Sequence, residues 1–485
     1  MKDIKMDRRE FMKSAAAAAA VSAAGTSLFF SENAMAAANP YDTVVLVFLR
    51  GGMDGLNMVV PLSGADRTNY ETYRPTLQIP ATGADAALPL TLVTGAATGF
   101  GLHPSATGLR DIWDAGKLAI VHSCGMQSVV NRSHFDTQGF LDAGTPGVKT
   151  TTTGWLARAW QTQEALGATG QMPVLAATER SPRNINGSLP AIAMSTPAAM
   201  EISYGGGQWR TAAQNTIGKI WSGASALEVS GQYADAAMKL IDTQAYQATL
   251  PTGWPTTKFA TQMWTIAQSI RFNLGLRFAT VDLGGWDTHE NQGTVGASYY
   301  STKIKELSDV LAAFYNNLNA DGVMGRVTVI VQSEFGRRVR QNTSGGTDHG
   351  YGNPLFVLGG QVQGRKFFGQ WKGLASTTLA PTFGDIPVTT DYRRVLSEIL
   401  MRRMANNKLG VIFPGYTYGG NMGIVAGPIM TPDYGATLSV ASLASPTQPE
   451  IGQSLQPVPV ERSTTARGSR RTWFERLMAA LGVTS

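Results

Sequence analysis

Cysteine is almost absent: Cys124 is the only one in 485 residues. A lone thiol closes no internal disulfide and builds no multi-thiolate metal site, so any metal must be held by His, Asp and Glu. Histidine is scarce as well, at five, and each one carries more weight for that reason. Charged residues amount to 15% against 43% hydrophobic ones, which excludes both a disordered chain and a coiled coil. The 54 glycines and 23 prolines follow no three-residue period. That excludes collagen and points to a fold rich in loops and turns. The net charge of +6 is concentrated at the ends: residues 461–485 carry five Arg against two Glu. The body is near neutral, so nucleic acid is not an expected partner.

What is present begins with an address. Asp7-Arg8-Arg9-Glu10-Phe11-Met12-Lys13 carries a twin-arginine core, followed by an Ala-rich apolar run from Ala15 to Phe30 and by the small residues Ala34-Met35-Ala36. Residues 1–36 read as a twin-arginine signal peptide, with the twin-arginine translocase as partner and a periplasmic or secreted destination. An uncleaved anchor is the alternative, but the run is shorter than the roughly 20 apolar residues that a span needs.

The rest is long enough for one large α/β core or for two to three domains. Short apolar runs rich in β-branched residues end repeatedly in glycine- and acid-bearing turns. They are Val44–Leu49, Leu118–Val121, Phe278–Leu283, Val327–Val331 and Pro354–Leu358. Runs without alternation are strands buried on both faces. Helical patterns separate them at 106–115, 258–274, 301–318 and 392–404. The expected fold is a three-layer α/β/α, doubly wound, mostly parallel sheet over residues 37–415, with a helical insertion at about 170–255. A Gly/Ser/Pro-rich segment and linker is expected at 416–463, glycine-rich at first and of linker composition from Ala444 to Ser463. Residues 464–485 read as a basic amphipathic helix that meets a membrane, a partner protein or its own core.

In such sheets ligands bind beyond the carboxyl ends of the strands, where Asp54, Asp287, His289 and Glu334 fall. Each has a plain alternative: a turn former at Asp54, or a Glu334 partner for Arg337. Asp287-Thr288-His289 and Asp348-His349 pair hard carboxylates with imidazoles, the donors that Zn or Mn uses where thiolates are lacking. His103, His134, His289 and His349 all lie in glycine-rich or polar loop motifs, whereas His122 ends an apolar run and reads as a core residue. Asn131-Arg132-Ser133-His134 opens a helix, where free N–H groups favour an anion. Ser133 is either a metal-activated nucleophile or an N-cap. Arg132 either binds an anionic oxygen or pairs with Asp136.

The twin-arginine leader, Val47 to Asn57, Leu102-His103-Pro104, Asn131 to Phe135, Gly285 to His289, Ser333 to Arg337 and Asp348-His349 together resemble the bacterial exported family called domain of unknown function 1501, over about residues 42–415. That family in turn resembles the alkaline phosphatase and sulfatase superfamily. The resemblance implies a divalent metal, Zn or Mn with Mg or Ca as alternatives, held by Asp54, Asp287, His289, Glu334, Asp348 and His349. It also implies a reaction centre at Arg132, Ser133 and His134 acting on an anionic ester. Two departures stand out. Glu334-Phe335 occupies the place of an Asp-His pair, and Asp287 and His289 lie two positions apart where one helical turn is usual. Two functions follow: an exported metal-dependent hydrolase of phosphate or sulfate esters, or a non-catalytic secretion, assembly or surface-binding protein with a degraded site.

Overall fold

Thr43–Leu49 (β1) is buried at every position. Its side chains alternate between two cores: Val45, Val47 and Leu49 join one, while Val44, Leu46 and Phe48 join the other. A strand with two apolar faces must be covered on both sides, and this one is. The structure is a computed structural model that describes residues 42–164, 172–188, 190–200, 207–223 and 225–438. The twin-arginine leader and the C-terminal amphipathic helix lie outside the described residues.

The remaining strands are Val59–Pro61 (β2), Leu88–Thr91 (β3), Ala97–Leu102 (β4), Leu118–Gly125 (β5), Val174–Ala176 (β6), Ala191–Ala193 (β7), Phe278–Leu283 (β8), Val327–Ser333 (β9), Asn353–Gly359 (β10), Lys366–Phe368 (β11) and Thr390–Asp391 (β12). The main sheet runs β11-β5-β10-β9-β1-β8-β6-β7, with β12 also on β5. β1 lies parallel to both β8 and β9 at its centre. β10 is antiparallel to β9 and β5. The chain returns from β9 to β10 through the 334–352 loop, which folds back on itself and carries no crossover helix. The mostly parallel α/β sheet expected from the sequence is therefore the one observed.

Helices Thr107–Asp114, Lys258–Arg271 and Tyr299–Ala320 supply Leu109, Met263, Ile266, Leu307 and Leu311 to the first core. Helices His134–Ala143, Trp155–Glu164 and Tyr392–Met404 supply Phe140, Leu156, Leu396 and Ile399 to the second. Each such buried aliphatic or aromatic side chain contributes about 1.5–3 kcal/mol. A satellite sheet, β2-β4-β3, lies off the main one. Two expectations are revised. The segment at 170–255 is no purely helical insertion, because β6 and β7 extend the main sheet before helices Gly207–Ile220 and Ala226–Asp242. The glycine-rich stretch past 416 belongs to the packed core: Ile424 and Val425 are fully buried, and Glu398 accepts hydrogen bonds from the amides of Met422 to Val425, while the linker composition from Ala444 lies outside the described residues. Among the described residues no helix is long and apolar enough to cross a membrane.

Candidate metal centre

Because β1, β8 and β9 are adjacent and parallel, the loops that follow them leave the same edge. Gly51 has φ +124°, and a Cβ there would stand 2.5 Å from the Asp287 amide nitrogen. Only glycine lets these two backbones touch. The loop after β9 folds against the segment before β10: Gly336 donates to the Tyr351 carbonyl at 2.9 Å, Gly350 to Gly336 at 2.8 Å and Arg338 to Asp348 at 2.9 Å. This ladder places Arg337 opposite His349. After β5, the helix His134–Ala143 starts at the Ser133 N-cap, whose side chain accepts from the Asp136 amide, and stops at Gly144, which takes φ 70°. His134 is thus its first residue.

Four donor atoms meet where these segments converge. His349 Nε2 lies 2.9 Å from His134 Nε2, 2.8 Å from His289 Nε2 and 3.1 Å from Asp287 Oδ1. Asp287 Oδ1 lies 3.0 Å from His289 Nε2 and 3.4 Å from His134 Nε2. Donors around a tetrahedral Zn²⁺ with bonds of about 2.0–2.1 Å sit about 3.3 Å apart, and His134, Asp287 and His349, at 2.9–3.4 Å, have the spread of one cation's ligands. The chemistry of the donors agrees. Three imidazoles and one carboxylate suit Zn or Mn, whereas Mg and Ca take oxygen. Among the described residues, His134, Asp287 and His349 are the group whose ligand atoms all lie within 4.8 Å of one another, and His289 approaches it from the side of Asp287 and His349.

The surroundings aim these donors. His349 Nδ1 lies 2.7 Å from the Arg132 carbonyl; as donor to that oxygen it leaves the Nε2 lone pair facing inward. His134 Nδ1 faces Glu334 Oε1 at 3.4 Å, and contact with Glu334 raises His134 above the usual imidazole range despite its burial. Burial has the opposite effect on His349 and lowers it. The Asp287 carboxyl is pushed up by burial, yet the Arg337 guanidinium at 2.5 Å, with His349 and His289, draws it down to about 2. Arg337 is itself buried, donating to the Gly52 carbonyl at 2.6 Å, to that of Thr347 at 2.8 Å and also to that of Gly51. One guanidinium therefore ties three loops and one donor together. The Phe335 ring lies 4.9 Å from both His134 and His349, so the phenyl that stands in the place of an imidazole serves as a wall between two others.

Several expected residues sit elsewhere. The Asp54 carboxylate is fully buried and saturated, with Arg74 at 2.5 and 2.9 Å and Gln292 at 2.6 Å. It is half of a structural ion pair and not a ligand. Glu334 stands behind the centre. It accepts from the Gly51 and Gly52 amides at 2.8 Å each, from Gln138 at 2.5 Å and from Ser333 at 3.0 Å. Its carboxyl is held at about 2: burial raises it, and contact with His134 and hydrogen bonds from Gln138 and Gly51 prevail. Asp348 is also one step back, 3.5 Å from His289 Nδ1 and 3.1 Å from Asn342. His134, expected in the reaction centre, is instead one of the four donors.

Ser133 is the N-cap, not a nucleophile aimed at the donors. The Arg132 guanidinium pairs with buried Asp385 and covers Phe383, whereas Asp136 pairs with Lys149. Arg132 contributes to the centre through its carbonyl, not its charge. His103 is buried and hydrogen-bonded to the Thr294 carbonyl at 2.7 Å. His122 is buried as expected, stacked on Phe367 at 4.4 Å. The sequence reading missed Arg74, Gln138 and Gln292, and took Arg337 for a partner of Glu334. Only the placement of Arg337 within the Glu334-Phe335-Gly336-Arg337 motif signalled any of these.

Fold and site together define a mostly parallel α/β protein with a His134, Asp287 and His349 cluster at the carboxyl edge of its sheet that could hold a metal ion. Residues 41–404 match the family described as Protein of unknown function (DUF1501), and the chain belongs to that family. No curated protein matches it by sequence. Among solved structures, it is similar to the lipoteichoic acid synthase LtaP from Listeria monocytogenes, with 7% identity over 66% of each chain and a TM-score of 0.28. It is also similar to the PsFucS1 sulfatase from Pseudoalteromonas sp., with 12% identity over 74% of this chain and 66% of that one, TM-score 0.28. The chain thus spans just under two thirds of each of these proteins. The alkaline phosphatase from the Antarctic bacterium TAB5 gives 12% identity over 67% and 95%, TM-score 0.27. Matches at such scores bear no weight on activity.

Proposed function

We propose that this protein is an exported, metal-dependent hydrolase of phosphate or sulfate esters. The observation that carries the reading is the meeting of the His134 and His349 imidazole nitrogens with an Asp287 carboxylate oxygen at separations of 2.9–3.4 Å, with His289 beside the last two. Zn is the cation that this donor set favours, with Mn second. When bound, it would polarise an ester oxygen and lower the pKa of a water.

The chain's own part is to hold the donors and shape their surroundings. Arg337 fixes Asp287, the Arg132 carbonyl fixes His349, and Glu334 fixes His134. With Ser133 committed as a cap, water is the attacking group in this reading. The twin-arginine leader supports delivery through the translocase to the periplasm or beyond, after folding and metal loading in the cytoplasm. The test is a panel of phosphomonoester, phosphodiester and sulfate ester substrates, assayed with each divalent metal restored to protein whose native metal content has been measured. Turnover that chelator removes and Zn or Mn restores supports the reading. Metal-free native protein that ignores chelator refutes it.

One observation favours a second reading, a non-catalytic secretion, assembly or surface-binding protein. The Phe335 ring packs on both His134 and His349, at the position where the superfamily resemblance calls for another imidazole. Metal-loaded, exported protein that turns over none of the esters supports that reading.

A further inference from the structure

The strands β6, β8 and β1 run parallel, so their carboxyl ends share one edge of the sheet. On that edge, beyond the ends of β6 and β8, lies an open cleft of about 390 Å³. Small-molecule sites commonly measure roughly 300–1,000 Å³. Gly284 belongs to its wall and stands three residues before Asp287, so their Cα atoms are at most about 11 Å apart. The turn between them is fixed, because the Tyr299 hydroxyl donates to the Gly285 carbonyl at 2.9 Å. Each charge that lines the cleft is already paired. Lys258 meets Glu179 at 2.6 Å, Lys303 meets Glu306 at 2.7 Å, and Asp282 meets Arg50 at 3.1 Å. An anion or a cation finds no uncompensated partner there. An apolar ligand finds no apolar wall, since the lining Phe259 and Leu283 are packed in the core.

We propose that this cleft binds a neutral polyhydroxylated molecule, a sugar or a sugar alcohol. The site goes beyond the hydrolase reading and needs no metal. What the ion pairs leave over is hydrogen-bonding capacity of both kinds. An ammonium carries three donors and a carboxylate about four acceptor positions, and the bond within each Lys–Glu pair uses one of each. Hydroxyl groups both donate and accept, so a ligand dense in them matches such walls, whereas a singly charged group matches half of them. The inner wall is also held in place before any ligand arrives. The Lys303 and Glu306 side chains are only 16% and 19% exposed. Gln262 is buried and donates to the Ala177 carbonyl at 2.6 Å. Asp282 is anchored by Arg50, which also reaches Asp142 at 3.4 Å. Side chains fixed in this way lose little freedom when a ligand binds.

Ligand-observed NMR titrations test it, on the protein as isolated and again after chelator. Glucose, galactose, N-acetylglucosamine and sorbitol are the neutral probes; inorganic phosphate and ethanolamine are the charged ones. The double variant Lys303→Met/Glu306→Leu removes the inner pair together, so that neither charge is stranded. A second, Lys258→Met/Glu179→Leu, removes the outer pair, whose side chains are 66% and 68% exposed and whose loss costs the fold little. Lys305→Met, at an exposed pair with Asp309 on the same helix, is the control, and thermal melting checks folding. At least one neutral probe should bind wild type equally with and without chelator. Its affinity should fall about tenfold in the inner variant and about threefold in the outer one, as hydrogen bonds are lost, and stay unchanged in Lys305→Met. If the inner variant does not fold, the outer one decides. Binding of no neutral probe overturns the proposal, as does neutral binding that the folded pair variants retain in full. Neutral binding abolished by chelator overturns it too, because the hydroxyls would then sit on a metal. Phosphate or ethanolamine bound in place of the neutral probes, and weakened by the same variants, makes the cleft a site for charged ligands and refutes the class proposed. Because binding is read and not turnover, none of these outcomes depends on the ester panel.

Discussion

Asp54 and Asp287 follow neighbouring parallel strands, β1 and β8, and both stand in glycine-rich turns. One is sealed and the other is open. Asp54 is buried with Arg74 and Gln292 on its oxygens, while Asp287 is 48% exposed amid three imidazoles. An acid at a strand's carboxyl end is therefore not a ligand by position alone. What decides is whether a guanidinium has already filled its coordination. Arg337 reaches only Oδ1 of Asp287, the oxygen that also faces the imidazoles, whereas Arg74 takes both oxygens of Asp54.

The largest effect expected from breaking this contrast is in Arg74→Leu. It strands a buried carboxylate, at a cost of about 3–5 kcal/mol, and urea denaturation of the metal-free protein reads it. Metal per folded chain should stay at the wild-type level. Metal loss with unchanged stability would make Asp54 part of the centre after all.

The converse variant is His349→Ala. Metal-free stability should change little, but the stabilisation gained on adding Zn should vanish, about 2.7 kcal/mol when free metal stands at 100 times Kd. Melting scans with and without chelator measure it. Retention of the full metal-dependent gain would detach His349 from the centre.

Two core histidines sharpen the comparison through pH. Burial lowers His122 to about 3; it lowers His103 to about 4, partly offset by the bond to Thr294. Both folded values lie below the ordinary 6.5, so the unfolded chain binds the extra protons. Their contribution to stability is fully present above pH 6.5 and is lost as pH falls from there through about 4 to 3. His122→Phe, beside Phe367 and Phe100, should flatten that decline in metal-free protein followed by urea midpoint. An unaltered pH slope would mean that His122 is not the group being titrated.

The smallest effect is at Ser133. Ser133→Ala should cost about 1 kcal/mol, the value of a cap, with metal content and any ester hydrolysis intact. Hydrolysis abolished at unchanged metal content would restore Ser133 as the nucleophile.

The sequence by itself determined the central strands, since β-branched runs such as Thr43–Leu49 and Val327–Ser333 leave no polar face to expose. It also pointed to the loops beyond their carboxyl ends, where Asp287, His289 and His349 do lie side by side. It misread 170–255 because three-residue strands such as β6 and β7 are too short to show a period. It could not place the His134 ring beside His349 and Asp287, because a histidine beside an N-cap serine looks the same whether its ring faces an anion or another imidazole. Only the tertiary structure decided which acids were free. Arg74 lies on another segment from Asp54, and Arg337 reaches Asp287 across the interface of two loops. Saturation of a carboxylate depends on partners that chain folding brings within about 3 Å. Local residue order records the acid but not the cation that folding will place beside it.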